Sequence, residues 1–265
     1  MAQRFLDLFS NARLFDLAHE YRTGIPHHPA HPPYLFGMTK IHGEYMWGKS
    51  SSAGEAIALG GHVGTHMDAL CHFSCGGQLF GGVEVAPIQD HSTGIGSLSI
   101  DTVVPVFRRG VLLDVAGYEG VDVLPEDFAI DAAELESVAN AQDAGIGAGD
   151  VVLIRTGWTK YWNEPGHYIN EVRCPGVNED GANWLSARGI FAGGSDTIAF
   201  ELTPSQMPVH VHFLVDKGIH IFEALNLESL AAERIVTFGF VAIPLKLAGA
   251  TGSPVRPVAV VEAPR

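Results

Sequence analysis

Between Gly61 and Phe73 the chain reads Gly-His-Val-Gly-Thr-His-Met-Asp-Ala-Leu-Cys-His-Phe, which puts three histidines and one aspartate into the eleven residues from His62 to His72. If these side chains converge, few backbone paths remain. His66 and Asp68 are two apart and share a side only on an extended chain, where their Cα atoms stand roughly 6.6 Å apart. His62 and His66 are four apart and share a face on a helix, but Asp68 would then point the opposite way. On a straight strand His62 would lie about 13 Å from His66, too far to share an ion held by bonds of about 2 Å. The three meet only if the chain bends between them, and Gly64 is placed to permit the bend. The expected local form is a turn feeding a short extended segment.

Two imidazoles (His62, His66) and a carboxylate (Asp68) suit Zn²⁺, Mn²⁺ or Fe²⁺ and leave positions open for water or substrate. His72 exceeds the simplest ligand set and is assigned a proton-transfer role beside the ion. Three other readings compete. The histidines could be structural. Cys71-x3-Cys75 could hold a structural zinc, although no second cysteine pair accompanies it. Cys71 could act as a nucleophile with His72, although adjacent side chains on an extended chain point apart.

The balance of 30 acidic against 16 basic residues gives a formal charge of −14, which argues against a nucleic-acid surface. It leaves an anionic small substrate open, because a bound divalent cation inverts the local field. With 265 residues, 46% apolar and 17% charged, the chain reads as soluble and globular with a sizeable core. Residues 1–9 lack the apolar run of a signal peptide, and no eighteen consecutive apolar residues suggest a membrane span. The cysteines, Cys71, Cys75 and Cys174, are odd in number, so reduced thiols in a cytoplasmic protein are expected.

Along the chain, residues 12–18 read as a first strand. Pro26, Pro29, Pro32 and Pro33 then forbid helix and favour an extended arm, assigned to 20–48. Its His27, His28 and His31 are expected at a pocket mouth or a subunit contact. Tyr34, Phe36, Tyr45 and Trp47 suit an apolar pocket wall and equally suit ordinary core positions. Residues 74–82 form a glycine-rich loop without the ending of a phosphate loop. Strands are expected at 111–115, 151–156, 189–194 and 235–245, the last taken as the final one. Helices are expected at 131–143, opened by an Asp131/Glu134 capping pattern, at 181–188 and at 224–232. Strands alternating with helices after residue 110 predict an α/β fold in a single domain over 1–265.

The pattern His62-x-Gly64-Thr65-His66-x-Asp68-x3-His72 closely resembles the signature of the cyclase family of metal-dependent hydrolases, which takes in kynurenine formamidases and isatin hydrolases. The arm from Gly24-Ile25-Pro26 to Pro32-Pro33, Gly194-Ser195-Asp196-Thr197, Val209 to Leu214, Gly218 to Leu225 and Gly249 to Pro257 resemble its other blocks. The resemblance implies a mixed β-sheet flanked by helices, of swivelling β/β/α type. It implies Mn²⁺ or Zn²⁺ on His62, His66 and Asp68, with His72 as acid/base. Glu223 with His210, or with the rival His212, is implied for a second metal or an active-site role. The implied activity is hydrolysis of a C–N bond in an aromatic or cyclic amide, an isatin-like lactam or an N-formyl aromatic. Alternatives are a lactone or ester hydrolase, a biosynthetic cyclase, or a non-catalytic binder. The implied partners are a small aromatic substrate, with Tyr34, Phe36 and Trp47 in its pocket, and further copies of the chain in a homodimer or homotetramer. The family's common proline is Leu70 here, and a tryptophan-proline-glycine element of the arm is replaced by His28-Pro29-Ala30.

Overall fold

The computed structural model describes residues 11–263. Expectations drawn from residues 1–9 lie outside them. Within the described residues the frame is a nine-stranded mixed sheet. In chain order its strands are β1 (Ala12–Asp16), β2 (His66–Asp68), β3 (Val106–Asp114), β4 (Val151–Arg155), β5 (Ala192–Ser195), β6 (His220–Glu223), β7 (Thr237–Ala242), β8 (Gly252–Pro254) and β9 (Val258–Glu262). Their spatial order is β1-β9-β7-β3-β4-β5-β6-β2-β8. The run β3-β4-β5-β6 is parallel, and the remaining pairs are antiparallel.

The near-continuous apolar run of β4 follows from burial on both faces. Val151 and Leu153 join one core and Val152 and Ile154 the other, as the two-residue period of a strand requires. The second core is roofed by helices α1 (Ala132–Ala141) and α2 (Glu179–Ala187), through Leu135, Val138 and Leu185. Phe213 and Leu214, from a turn of helix at Pro208–His210 that continues as a π-helix over Val211–Lys217, complete that roof. Each helical segment connects two parallel strands, so all three lie on one face of the sheet. The first core is closed by Phe15, Phe238 and Phe240 from the curled antiparallel strands and by Leu79, Val85 and Ile100 from the loops after β2. Both main helices start on side-chain caps: Asp131 accepts from the Glu134 N–H, and Asn178 from the Gly181 N–H.

The elements differ from the sequence reading chiefly at ends and in the last third. The helix expected over 224–232 occupies Glu228–Ala232, because the preceding strand β6 runs to Glu223 and Ala224 takes φ +51°. The strand at 235–245 is shorter and is not the last; β8 and β9 follow it. The helix at 208–217 was not expected. The arm runs irregularly from His19, with a single bridge between His27 and Val63, and then becomes a hairpin of Leu35–Lys40 paired with Gly54–Ala58. Met46–Trp47 and Ser50–Ser51 pair within it. No helix among the described residues is long and apolar enough to cross a membrane.

Candidate metal centre

The site is built where β2 meets β6. The antiparallel register sets His66 opposite Glu223, so those two side chains share a face, and Asp68, two residues on, shares it too. Met67, between them, points into the core instead. The chain enters β2 through the bend: Gly64 takes φ +64°, and a Cβ there would meet the Tyr21 ring at 2.7 Å. Glycine is required on both counts. Tyr21 donates to the Thr65 carbonyl, and Thr65 Oγ1 donates to the Ala224 carbonyl at 2.6 Å. These bonds tie the bend to the end of β6.

Each ring has a defined orientation. His66 Nδ1 donates to the Gly64 carbonyl at 2.8 Å. A carbonyl only accepts, so the hydrogen sits on Nδ1 and Nε2 faces the site. His62 Nδ1 lies 2.7 Å from Asp68 Oδ1, and its Nε2 lies 2.8 Å from Thr251 Oγ1. Gly252 makes room for that ring, since a Cβ there would come within 2.5 Å of it. His72 stacks on His62 with centroids 3.8 Å apart.

From the far side, Glu223 Oε2 lies 3.3 Å from His66 Nε2, and Glu223 Oε1 lies 3.2 Å from His210 Nε2. His210 Nδ1 meets Glu201 Oε1 at 2.7 Å.

Two overlapping donor sets result. His62, Asp68 and His72 form one, and His66, Asp68 and Glu223 the other, the ligand atoms of each lying within 4.8 Å of one another. The expected triad is thus spread over two sets joined at Asp68, with the His72 ring close beside His62 in the first. His66 Nε2 and Asp68 Oδ2 are buried and have no hydrogen-bond partner. Leaving such atoms bare is costly unless something else satisfies them. Imidazoles and carboxylates without a thiolate suit a borderline divalent ion such as Mn²⁺ or Zn²⁺. The residues present therefore fit a divalent metal.

The charges of the chain's own groups point the same way. Asp68 is held well below the usual carboxylate range: burial alone would raise it, but His72, His62 and His66 outweigh that. Glu223 sits at about 2, burial and Asp68 being overcome by the contacts to His210 and His66. His210 is raised to about 10 against the effect of burial by Glu201 and Glu223, and His66 is raised against burial by Glu223 and Asp68. The buried carboxylates thus hold negative charge where a cation would sit, and metal binding displaces any proton held on its imidazole ligands. His72 goes the other way: burial first, then His62 and His210, lower it to about 3, so it is neutral at neutral pH.

These groups open on a cavity of about 210 Å³. His28, His31, His62, His66, His72, His210 and Glu223 line it together with Phe73, Val172, Ile198, Ala199, Thr203 and Met207. His31 of the arm folds over His62 at 4.9 Å, so His28 and His31 do stand at a pocket. Several expected residues do not join the site. His212 turns away to Ser186 Oγ at 2.8 Å and does not line the cavity, because residues two apart on a helix face different ways. Tyr34 is buried edge-on to Tyr21 in a third apolar cluster. Phe36 and Trp47 are 49% and 64% exposed on the hairpin. The aromatic wall expected from these three is therefore absent from the cavity. Cys71 is buried, its thiol pushed up to about 12 chiefly by burial, while Cys75 is exposed. Neither cysteine belongs to a candidate metal group among the described residues, and Cys71 stays protonated, unlike a nucleophile. Glu201, which sequence reasoning passed over, has no local motif around it that would have singled it out.

The chain resembles known proteins over most of its length. It is 28% identical to an isatin hydrolase of Roseibium aggregatum over 214 residues, covering 77% of this chain and 73% of that one. It is 28% identical to a kynurenine formamidase of Bacillus cereus over 228 residues, covering 84% and 88%. A crystal structure described as a novel cyclase superposes with a TM-score of 0.88 at 29% identity, covering 96% of this chain and 88% of the other. The family described as "Putative cyclase" matches residues 15–202, a span that takes in the bend, β2 and the parallel strands β3, β4 and β5. The chain belongs to this cyclase family.

Proposed function

We propose that the chain is a divalent-metal-dependent hydrolase that cleaves a C–N bond of a small aromatic amide or cyclic amide, such as an isatin-like lactam or an N-formyl aromatic. The observation that carries this reading is the pair of buried ligand atoms without a hydrogen-bond partner, His66 Nε2 and Asp68 Oδ2, at a cavity lined by His66 and His72. The relatives named isatin hydrolase and kynurenine formamidase support the choice of bond. When bound, Mn²⁺ or Zn²⁺ would acidify a water molecule and polarise the scissile carbonyl. The chain's own residues supply the rest. The Gly64 carbonyl and His62 hold His66 and Asp68 in place. Neutral His72, stacked on His62, takes a proton from the attacking water and returns it to the leaving nitrogen. Phe73, Ile198, Ala199 and Met207 receive the aromatic ring and keep bulk water out. The cavity is smaller than the roughly 300–1,000 Å³ usual for drug-sized ligands, which suits a one- or two-ring substrate.

The working unit is proposed to be a homodimer or homotetramer. Among the described residues, half of the exposed large hydrophobic side chains fall within 35–57: Leu35, Phe36, Met38, Ile41, Tyr45, Met46, Trp47 and Ile57. A two-stranded hairpin this apolar is marginal unless something covers it, and a second copy of the chain is the proposed cover.

The test strips metal with a chelator, restores single ions, and assays N-formyl aromatics, isatins and lactones. Activity should vanish and return with Mn²⁺ or Zn²⁺, and Asp68→Ala should lose at least about 10³-fold. Turnover that survives complete metal removal overturns the reading; turnover confined to lactones replaces the C–N bond by an ester.

A further inference from the structure

Glu201 is buried in the wall behind the cavity, and its surroundings fix it from both ends. Its backbone bridges to Val177 in parallel, and Leu202 N–H donates to the Val177 carbonyl at 3.1 Å. Gly176 allows this approach, since a Cβ there would lie 2.4 Å from the Glu201 carbonyl carbon. The neighbouring Phe200 N–H donates to Glu223 Oε1 at 2.8 Å, so one dipeptide touches both sides of the His210 ring's environment. At the side-chain end, Glu201 Oε2 accepts from Ser205 Oγ at 2.7 Å and Oε1 accepts from the His210 backbone N–H at 2.9 Å. Oε1 also lies 2.7 Å from His210 Nδ1. With both oxygens already acting as acceptors, that contact is an Nδ1–H donated to the carboxylate.

We infer that Glu201 is a positioning residue for the site: it keeps a hydrogen on His210 Nδ1 and so presents Nε2 to Glu223 and the cavity. His210 lines the cavity, and its Nε2 lies 3.2 Å from Glu223 Oε1. Glu223 in turn lies 3.3 Å from His66. The line Glu201–His210–Glu223–His66 thus carries the orientation of a buried carboxylate into the donor set shared with Asp68. Among the described residues the ion-pair partner of Glu201 is His210, with no lysine or arginine to take its place. A carboxylate bound to the far nitrogen of a histidine fixes both its tautomer and its ring plane, and losing one costs roughly 10- to 100-fold in metal affinity or activity. The inference that turnover depends on Glu201 rests on the hydrolase reading; the inference about the tautomer does not.

A purely structural role is the rival, because the same carboxylate caps a free N–H near the start of the helix at 208–217. Ser205→Ala serves as the control, since it removes the tether on Oε2 and leaves the contact to Nδ1. Long-range ¹H–¹⁵N spectra of the zinc-loaded wild-type protein should show hydrogen on His210 Nδ1, and Glu201→Gln should lose that preference. With a substrate from the panel above, Glu201→Gln should lower kcat about 10- to 100-fold with KM within twofold and the melting temperature near wild type. Ser205→Ala should keep both the tautomer and kcat. Wild-type His210 with Nδ1 bare overturns the inference whatever the variants do. A Glu201→Gln protein that keeps the tautomer, or whose loss of rate merely tracks a lowered melting temperature and is matched by Ser205→Ala, overturns it as well. If no panel substrate turns over, the hydrolase reading fails, while the spectra still decide the tautomer.

Discussion

The floor and the rim of the cavity are built on opposite principles. On the floor, β2 and β6 hold His66, Asp68 and Glu223 by register, every one buried and most of their polar atoms tied to neighbours. At the rim, an irregular arm brings His28 and His31 over the opening and then projects a hairpin whose apolar side chains face outward. The floor can afford no slip, because a one-residue shift of β2 would turn His66 and Asp68 into the core. The rim carries no such penalty. On the proposed reading, chemistry belongs to the rigid frame, and the choice of substrate and partner belongs to the arm.

The contrast is sharpest at the joint between the two, where Tyr21 and His19 fasten the arm to the bend. Gly64→Ala should do the most harm, since the new Cβ meets both a left-handed backbone and the Tyr21 ring. A loss of about 3 kcal/mol or more is expected in urea unfolding; a loss below about 1 kcal/mol would show that the bend tolerates a side chain and that floor and rim are not rigidly joined.

Next comes His19, which stacks on Trp162 at 4.0 Å, lies 2.6 Å from Thr159 Oγ1 through Nε2, and donates its backbone N–H to Thr65 Oγ1. Burial lowers it to about 4, against the opposing effects of Leu225 and Asp16. In the unfolded chain it takes up a proton near pH 6.5, while the folded chain resists until about 4. Its contribution is therefore present above pH 6.5 and is lost as pH falls through 4, by roughly 3 kcal/mol at most. Melting curves from pH 7 to 4 should show that slope, and His19→Gln should make it shallower, with the part due to buried His72 remaining. An unchanged slope in His19→Gln would place the acid sensitivity elsewhere.

The smallest effect on the fold belongs to the hairpin. Phe36→Ser with Trp47→Ser should alter the stability of the isolated chain by no more than about 0.5 kcal/mol per site. The pair should nevertheless shift sedimentation from oligomer toward monomer, and KM should rise because the hairpin is rooted at the cavity rim. A doubly substituted protein that sediments as wild type would show that the rim's apolar face is not the contact between copies.

Parts of this site could be read directly from residues. The spacing of His62, His66 and Asp68 demanded a bend, and Gly64 supplies it. For the rival histidines a further signal was present: Val209, Phe213 and Leu214 mark the buried stripe of their helix, and His210 lies on that stripe while His212 lies off it. The exposed hairpin went the other way. Its aromatics resemble core residues in sequence, and only the absence of covering structure shows that they face outward.

The sequence by itself determined the bend, the cluster of metal-competent side chains beside it and the buried strand at Val151–Arg155, because these depend on spacing, backbone freedom and local apolar pattern. Only the tertiary structure decided that Glu223 faces His66, that His31 lies over His62 and that Glu201 backs His210. Those meetings are separated by about 157, 31 and 9 residues, and strand register and a folded-back arm bring them about. No local pattern encodes which distant side chain a register will place opposite another.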